Sequence, residues 1–202
     1  MRWFYEIENV FGNLPVLETE RLLLRKVTLD DVEDMYEYGS NEDLTKYVIW
    51  ETHKNLSDSK EFIEFVRTQY ENKKVSPWGI ELKENGKFIG TIDFVSWQPD
   101  HHAAEIGYVL SQDYWGKGIA TEAANEVIAF GFNHMDLIRI QAKCFVENRG
   151  SARVMEKIGM SFEGIRRKGM FVRGKHRDLN IYSILKEEFA TIHQPERENA
   201  HS

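Results

Sequence analysis

The chain has 202 residues, 42% of them hydrophobic and 29% charged, with a formal net charge of −7. That length suits one domain with its own core. The composition excludes wholesale disorder and the broad basic surface of a general nucleic-acid binder, and it leans toward cationic partners.

A single cysteine, Cys144, excludes an internal disulfide and fits a reducing compartment. It lies in the alternating stretch "IRIQAKCF" and reads as a small core residue rather than a nucleophile. The opening "MRWFYEIENVFGNLP" has neither a long apolar run nor a small-residue cleavage site, and no stretch reaches membrane-spanning length. A cytoplasmic protein without a membrane partner is therefore expected.

In chain order, "ERLLLRKV" (20 to 27) alternates as a strand. Thr28 followed by Asp31 resembles a capping box and starts a helix through Leu29, Val32, Met35 and Tyr36. A second helix begins at Ser57 or Asp58 and carries Phe62, Ile63, Val66 and Tyr70 on one face. The period then falls to two. Trp78, Ile80 and Leu82, then Phe88, Gly90, Ile92 and Phe94, form a hairpin around Asn85-Gly86. "AAEIGYVL" (103 to 110) adds a third antiparallel strand. A helix from 118 to 132 shows a stripe of Ile119, Ala123, Val127 and Phe130, widened by Ala120, Ala124 and Ile128. A strand (137 to 146), a short helix (150 to 159) and two strands flanking "RGKHRD" complete the pattern. Residues 1–16 read as an N-terminal extension and 190–202 as a polar tail.

The stretch "SQDYWGKGIATEA" (111 to 123) places Gly116 and Gly118 around Lys117, at the entry of the third long helix. A glycine loop leading into a helix N-terminus is an anion site, because the first amides lack intrahelical partners and the macrodipole end is positive. Here those amides belong to Ile119, Ala120 and Thr121. For Gly-x-Gly alone, an ordinary glycine turn is the better reading. The spacings of nucleoside-triphosphate and dinucleotide loops are absent, since the residue three after Gly118 is Thr121, and an antiparallel meander precedes the loop.

Gly116-Lys117-Gly118 resembles the coenzyme loop of the GCN5-related N-acetyltransferases, with Asp113 where that family carries Gln or Arg. "ETERLLLRKVTLDDVEDMYEY", "AEIGYVL", "VENRGSARVMEKIGMSFEG" and "GKHRDLNIYSIL" are similar, in order, to segments of its ribosomal-protein N-terminal acetyltransferase branch, and the resemblance spans residues 17–189. It implies an α/β (α+β) fold: a mixed, mostly antiparallel sheet of six to seven strands, splayed between strands 4 and 5 and flanked by about four helices.

The resemblance also implies direct transfer of acetyl from acetyl-CoA to a primary amine, with no metal. The acceptor it favours is a protein N-terminus. A small cationic molecule (a polyamine or amine antibiotic) is the alternative acceptor, and a non-catalytic acyl-CoA-binding module the alternative function. A monomer or homodimer is expected. By the same resemblance, Val109 and Leu110 offer strand backbone to pantetheine, and Asn148 and Ser151 match an Asn-x-x-Ser helix entry; Trp115 reads as packing beside the cofactor or as an exposed or core tryptophan.

Glu105 falls where relatives carry a catalytic base, and a solvated strand glutamate is the competing reading. An α-amine of pKa about 8 needs less help than lysine at about 10.4. Ser151 would stabilise the leaving thiolate, or serve only as a helix N-cap; the tyrosine many relatives use is missing from this helix. A glutamate found after the Glu-Gly turn in some ribosomal enzymes falls on Met170. Trp50, Trp97 and Asp178 are expected around the acceptor, where aromatic walls and a carboxylate suit a cation.

Overall fold

Eight strands form one sheet in a computed structural model that describes residues 10–193. They are β1 (Leu17–Glu18), β2 (Leu22–Arg25), β3 (Trp78–Leu82), β4 (Phe88–Gln98), β5 (Ala103–Leu110), β6 (Arg139–Phe145), β7 (Ser161–Val172) and β8 (Lys175–Leu185). Their order is β1-β2-β3-β4-β5-β6-β8-β7. Only β5 and β6 run parallel. The expected six to seven strands become eight because Leu17–Glu18 folds back on β2, a two-residue pairing too short to show a period. The strands expected as 4 and 5 are therefore β5 and β6.

Six helices lie wholly within the described residues: α1 (Val32–Gly39), α2 (Glu42–Thr45), α3 (Leu56–Glu71), α4 (Ile119–His134), α5 (Arg149–Lys157) and α6 (Lys186–Ile192). The expected four lacked α2 and α6, whose four and seven residues are too few to display helical periodicity. Asp31 does bond the Thr28 amide at 2.7 Å, closing a 3₁₀ turn ahead of α1. The cap of α3 is Asn55, whose side chain accepts from the amides of Ser57 and Asp58, rather than either of those residues.

The expected extension is not peripheral. Val10, Phe11 and Leu14 are buried in the core, and the Phe11 ring centroid lies 6.2 Å from both Trp78 and Trp97. At the other end α6 crosses the expected boundary at 189/190. Most of the proposed N-terminal extension, 1–9, and most of the tail, 194–202, lie outside the described residues.

Helix α4 buries Ile119, Ala123, Ala124, Val127, Ile128 and Phe132, and Phe130 meets Trp78 edge-on at 5.7 Å. Each fully buried side chain of that size contributes about 1.5–3 kcal/mol. That packing fixes where the first turn of α4 points.

Candidate active site

β5 leads through a 3₁₀ turn (Gln112–Tyr114) into Trp115-Gly116-Lys117-Gly118 and then α4. Gly116 and Gly118 have φ of +74° and +78°, in the left-handed region that a Cβ disfavours. Gly118 is the N-cap of α4 and brings no side chain to accept from the helix. The first ladder bond runs from the Glu122 amide to the Gly118 carbonyl at 3.0 Å, so the amides of Ile119, Ala120 and Thr121 precede the ladder. A Cβ on Gly116 would meet nothing within 4 Å. Bare donors, a positive helix end and open space together fit a diphosphate.

Arg21, which the sequence reading missed, braces this loop. Its Nη1 donates to the Lys117 carbonyl at 3.0 Å, and its guanidinium pairs with Glu122 at 2.6 Å. Thr19 also donates to Glu122. Burial pushes the Glu122 carboxyl up, but the bonds from Thr19 and Arg21 outweigh it and hold the group below its ordinary range. No spacing links residue 21 to residue 122, which is why periodicity could not find the contact.

Between β5 and β6 the sheet opens. Their register runs from Ala103/Arg139 to Ile106/Ala142 and stops. Gly107 to Leu110 continue against β4, and Lys143 to Phe145 against β8. The Ser111 amide donates to Ile89 at 2.8 Å, so antiparallel alternation turns the main-chain groups of Val109 toward β4 as well. The Val109 carbonyl in fact crowds Gly90, where an added Cβ would lie 2.2 Å away. The expectation for Val109 is therefore corrected: Tyr108 and Leu110 are the residues whose main chain faces the opening. Trp115 stands half exposed at its mouth, and its Nε1 donates to the Leu110 carbonyl at 2.8 Å.

Asn148, not Ser151, caps α5, its Oδ1 accepting from the Ser151 amide at 3.1 Å. The Ser151 hydroxyl is thus free of capping duty. It lies 2.9 Å from the Tyr108 hydroxyl, which also donates to the Ser151 carbonyl at 3.1 Å. A tyrosine hydroxyl thus does stand beside Ser151, but it comes from the strand rather than from the helix. Burial pushes the Tyr108 phenol above its ordinary range, so it keeps its proton. In "EIGYVL" alternation makes Tyr108 an ordinary strand residue, and only the opening of the sheet gives it a different surrounding.

Glu105 is 6% exposed and is not the solvated glutamate of the competing reading. One oxygen meets Lys143 Nζ at 2.7 Å and the other accepts from Gln141 Nε2 at 2.9 Å. On the same face, across from Gly107, lies Asp93, whose carboxyl burial pushes up to about 7. Asp93 is not among the residues expected at the site from the sequence.

A cleft of about 420 Å³ adjoins the end of β6. It lies between the segment after α2 and the β7–β8 hairpin and is lined by Lys46, Tyr47, Phe145, Glu147, Val172, Arg173, Lys175 and Arg177. Arg173 ties its two walls together by donating to the carbonyls of Thr45 and Trp50 at 2.9 and 2.6 Å. The three residues expected around the acceptor are not brought together here. Trp97 is buried against Phe11, and Asp178 accepts from the Lys168 amide at 2.7 Å. Trp50 lines a separate cleft with His53. Among the described residues no cluster of metal-ligating side chains occurs, and no helix is long and apolar enough to cross a membrane.

Residues 21–161 match the family described as the acetyltransferase (GNAT) domain, and the chain belongs to that family. The fold and the family match make it an acetyl-CoA-dependent N-acetyltransferase. Among similar proteins, "Uncharacterized N-acetyltransferase YoaA" of Bacillus subtilis is 36% identical over 172 residues, 85% of this chain and 97% of that protein. "Putative ribosomal N-acetyltransferase YdaF" of the same organism is 38% identical over 113 residues, 55% of this chain and 62% of that protein. The microcin C7 self-immunity acetyltransferase MccE, solved with acetyl-CoA and AMP, superposes with a TM-score of 0.74 at 29% identity, covering 83% of this chain and 93% of its own.

Proposed function

We propose that this acetyltransferase modifies a polypeptide N-terminal α-amine. The observation that carries the reading is the state of Glu105, whose charge is already balanced by Lys143 at 2.7 Å. A carboxylate held this way is a weak partner for removing a proton from an amine of pKa about 10, whereas an α-amine of pKa about 8 is roughly a tenth neutral at pH 7. The resemblance to a ribosomal-type enzyme supports the same acceptor.

Acetyl-CoA supplies an acetyl group activated as a thioester. Gly116, Gly118 and the amides of Ile119, Ala120 and Thr121 would hold its diphosphate, with Lys117 adding charge. The main chain of Tyr108 and Leu110 would receive its pantetheine arm as an added strand. The amine nitrogen forms its bond to the carbonyl carbon, the carbon–sulfur bond breaks, the nitrogen sheds a proton and the sulfur gains one. Ser151 and Tyr108 hold hydroxyl protons where negative charge on sulfur can be hydrogen-bonded. With the phenol raised by burial, hydrogen bonding to sulfur is easier than full proton transfer.

Thiol release from acetyl-CoA tests the acceptor, comparing N-terminal peptides lacking lysine, the same peptides blocked at the α-amine, and spermidine. The free α-amine peptides are expected to react fastest at pH 7.5, with a rate that levels off above about pH 9 as the amine finishes losing its proton. A higher kcat/KM for spermidine or for a lysine side chain would overturn the reading.

A further inference from the structure

The whole chain is acidic, but the cleft beside the opened sheet is not. Its lining carries Lys46, Arg173, Lys175 and Arg177 against one carboxylate, Glu147. These cations do not all exist to stabilise the fold. Arg177 has a structural duty, pairing with Glu147 and lying 4.8 Å over the Phe145 ring. Arg173 spends its guanidinium on two carbonyls and sits 3.7 Å from Glu51. Lys46 bonds Asp43 at 2.9 Å in an exposed setting, where such a pair is weak. Lys175 pairs with Val172 through its main chain, but its exposed side chain has no hydrogen-bond or ion-pair partner among the described residues.

Lys175 and Arg177 stand two apart on β8, and so present their side chains to one face. The hairpin therefore delivers positive charge to the cleft in register, and the loop after α2 adds Lys46 from the other wall. A concave surface on which one sign of charge predominates concentrates the opposite sign. It repels a polycation by the same field.

We infer that the acceptor presents negative charge close to its amine: an N-terminus followed by aspartate or glutamate at its second or third residue. This rests on the α-amine reading above. It reverses, locally, the leaning toward cationic partners that the net charge of −7 suggested. Carboxylates a few bonds beyond the reacting nitrogen would meet Lys175 and Lys46 while the amine lies toward Phe145 and the opening.

The experiment compares kcat/KM on three peptides with the same first residue, followed by acidic, neutral or basic residues. Wild type and Lys175→Glu are both measured, with Lys60→Glu on the exposed surface of α3 as a control for total charge. The acidic peptide is expected to exceed the basic one by about tenfold in wild type at low salt, with most of the difference in KM. Lys175→Glu should shrink that ratio several-fold and Lys60→Glu should leave it. Raising salt to 0.5 M should shrink it too, since screening weakens exposed charge pairs. Equal turnover of the three peptides by wild type would remove the inference and leave the α-amine reading standing. Turnover of spermidine in preference to every peptide would remove both. A ratio that persists unchanged in Lys175→Glu would overturn the assignment to this cleft.

Discussion

The glycine loop proposed to hold the coenzyme and the cleft proposed to receive the acceptor are built from different material. The loop at Gly116 to Thr121 offers main-chain amides and two positive-φ glycines, so a contiguous stretch of sequence encodes it. The cleft gathers side chains from positions 46, 145 to 147 and 172 to 177, which only the finished fold brings together. A site made of backbone depends on loop geometry, whereas a site made of side chains changes its charge with a single substitution.

The sharpest way to break this comparison is to place charge in the glycine loop. Aspartate tolerates the left-handed region better than most residues, and the space beside Gly116 is empty. Gly116→Asp should therefore fold, yet bind CoA about 10- to 100-fold more weakly, because a carboxylate displaces a diphosphate from bare amides. Calorimetry with CoA reads this directly; unchanged affinity in a folded variant would mean the diphosphate lies elsewhere.

The next effect lies where the two regions meet. Ser151→Ala and Tyr108→Phe should each lower kcat by about tenfold while CoA affinity holds. Because their hydroxyls are 2.9 Å apart, the double variant should lose less than the product of the two. Full turnover in both single variants would reduce the pair to packing.

Glu105→Gln probes the acceptor side. If Lys143 already spends the charge of Glu105, kcat/KM on an α-amine peptide should fall less than about tenfold. The unpaired, part-buried Lys143 should cost stability, lowering the thermal midpoint by about 2–6 °C. A loss of a thousandfold in rate with an unchanged midpoint would falsify this and restore Glu105 as the general base.

What the sequence revealed follows the same division. The period of two in "PWGIEL" and the stripe on α4 became β3 and a buried helix face, because each is a local pattern imposed by one packed surface. The glycine loop was readable for the same reason. Arg21 on Glu122 was not, nor Tyr108 on Ser151, since each joins residues 101 and 43 positions apart. Trp97 misled because a tryptophan in an alternating strand fits a core and a pocket wall equally, and here Phe11, from the supposed extension, completes the core around it. Net charge averages over a whole surface, whereas the lining of one cleft is set by the few residues that meet there, four of them cationic.

A last group belongs to neither region and reports on the sheet between them. Asp93 lies across from Gly107, and burial pushes its carboxyl up to about 7, well above the usual carboxylate range. A folded-state pKa raised above the unfolded value near 3.9 means that the folded protein prefers the protonated form. The stability tied to this group is then fully present below about pH 4 and is lost as pH rises through about 7. Asp93→Asn keeps the shape and removes the titration. It should stabilise the protein by about 1–3 kcal/mol at pH 8, less than the full shift implies because the side chain is partly exposed, and should leave stability at pH 4 nearly unchanged. Urea unfolding of both proteins from pH 4 to 8 measures the difference. If the two curves run parallel across that range, Asp93 is ionised in the folded state at neutral pH, and the strand face beside the opening is wetter than its burial implies.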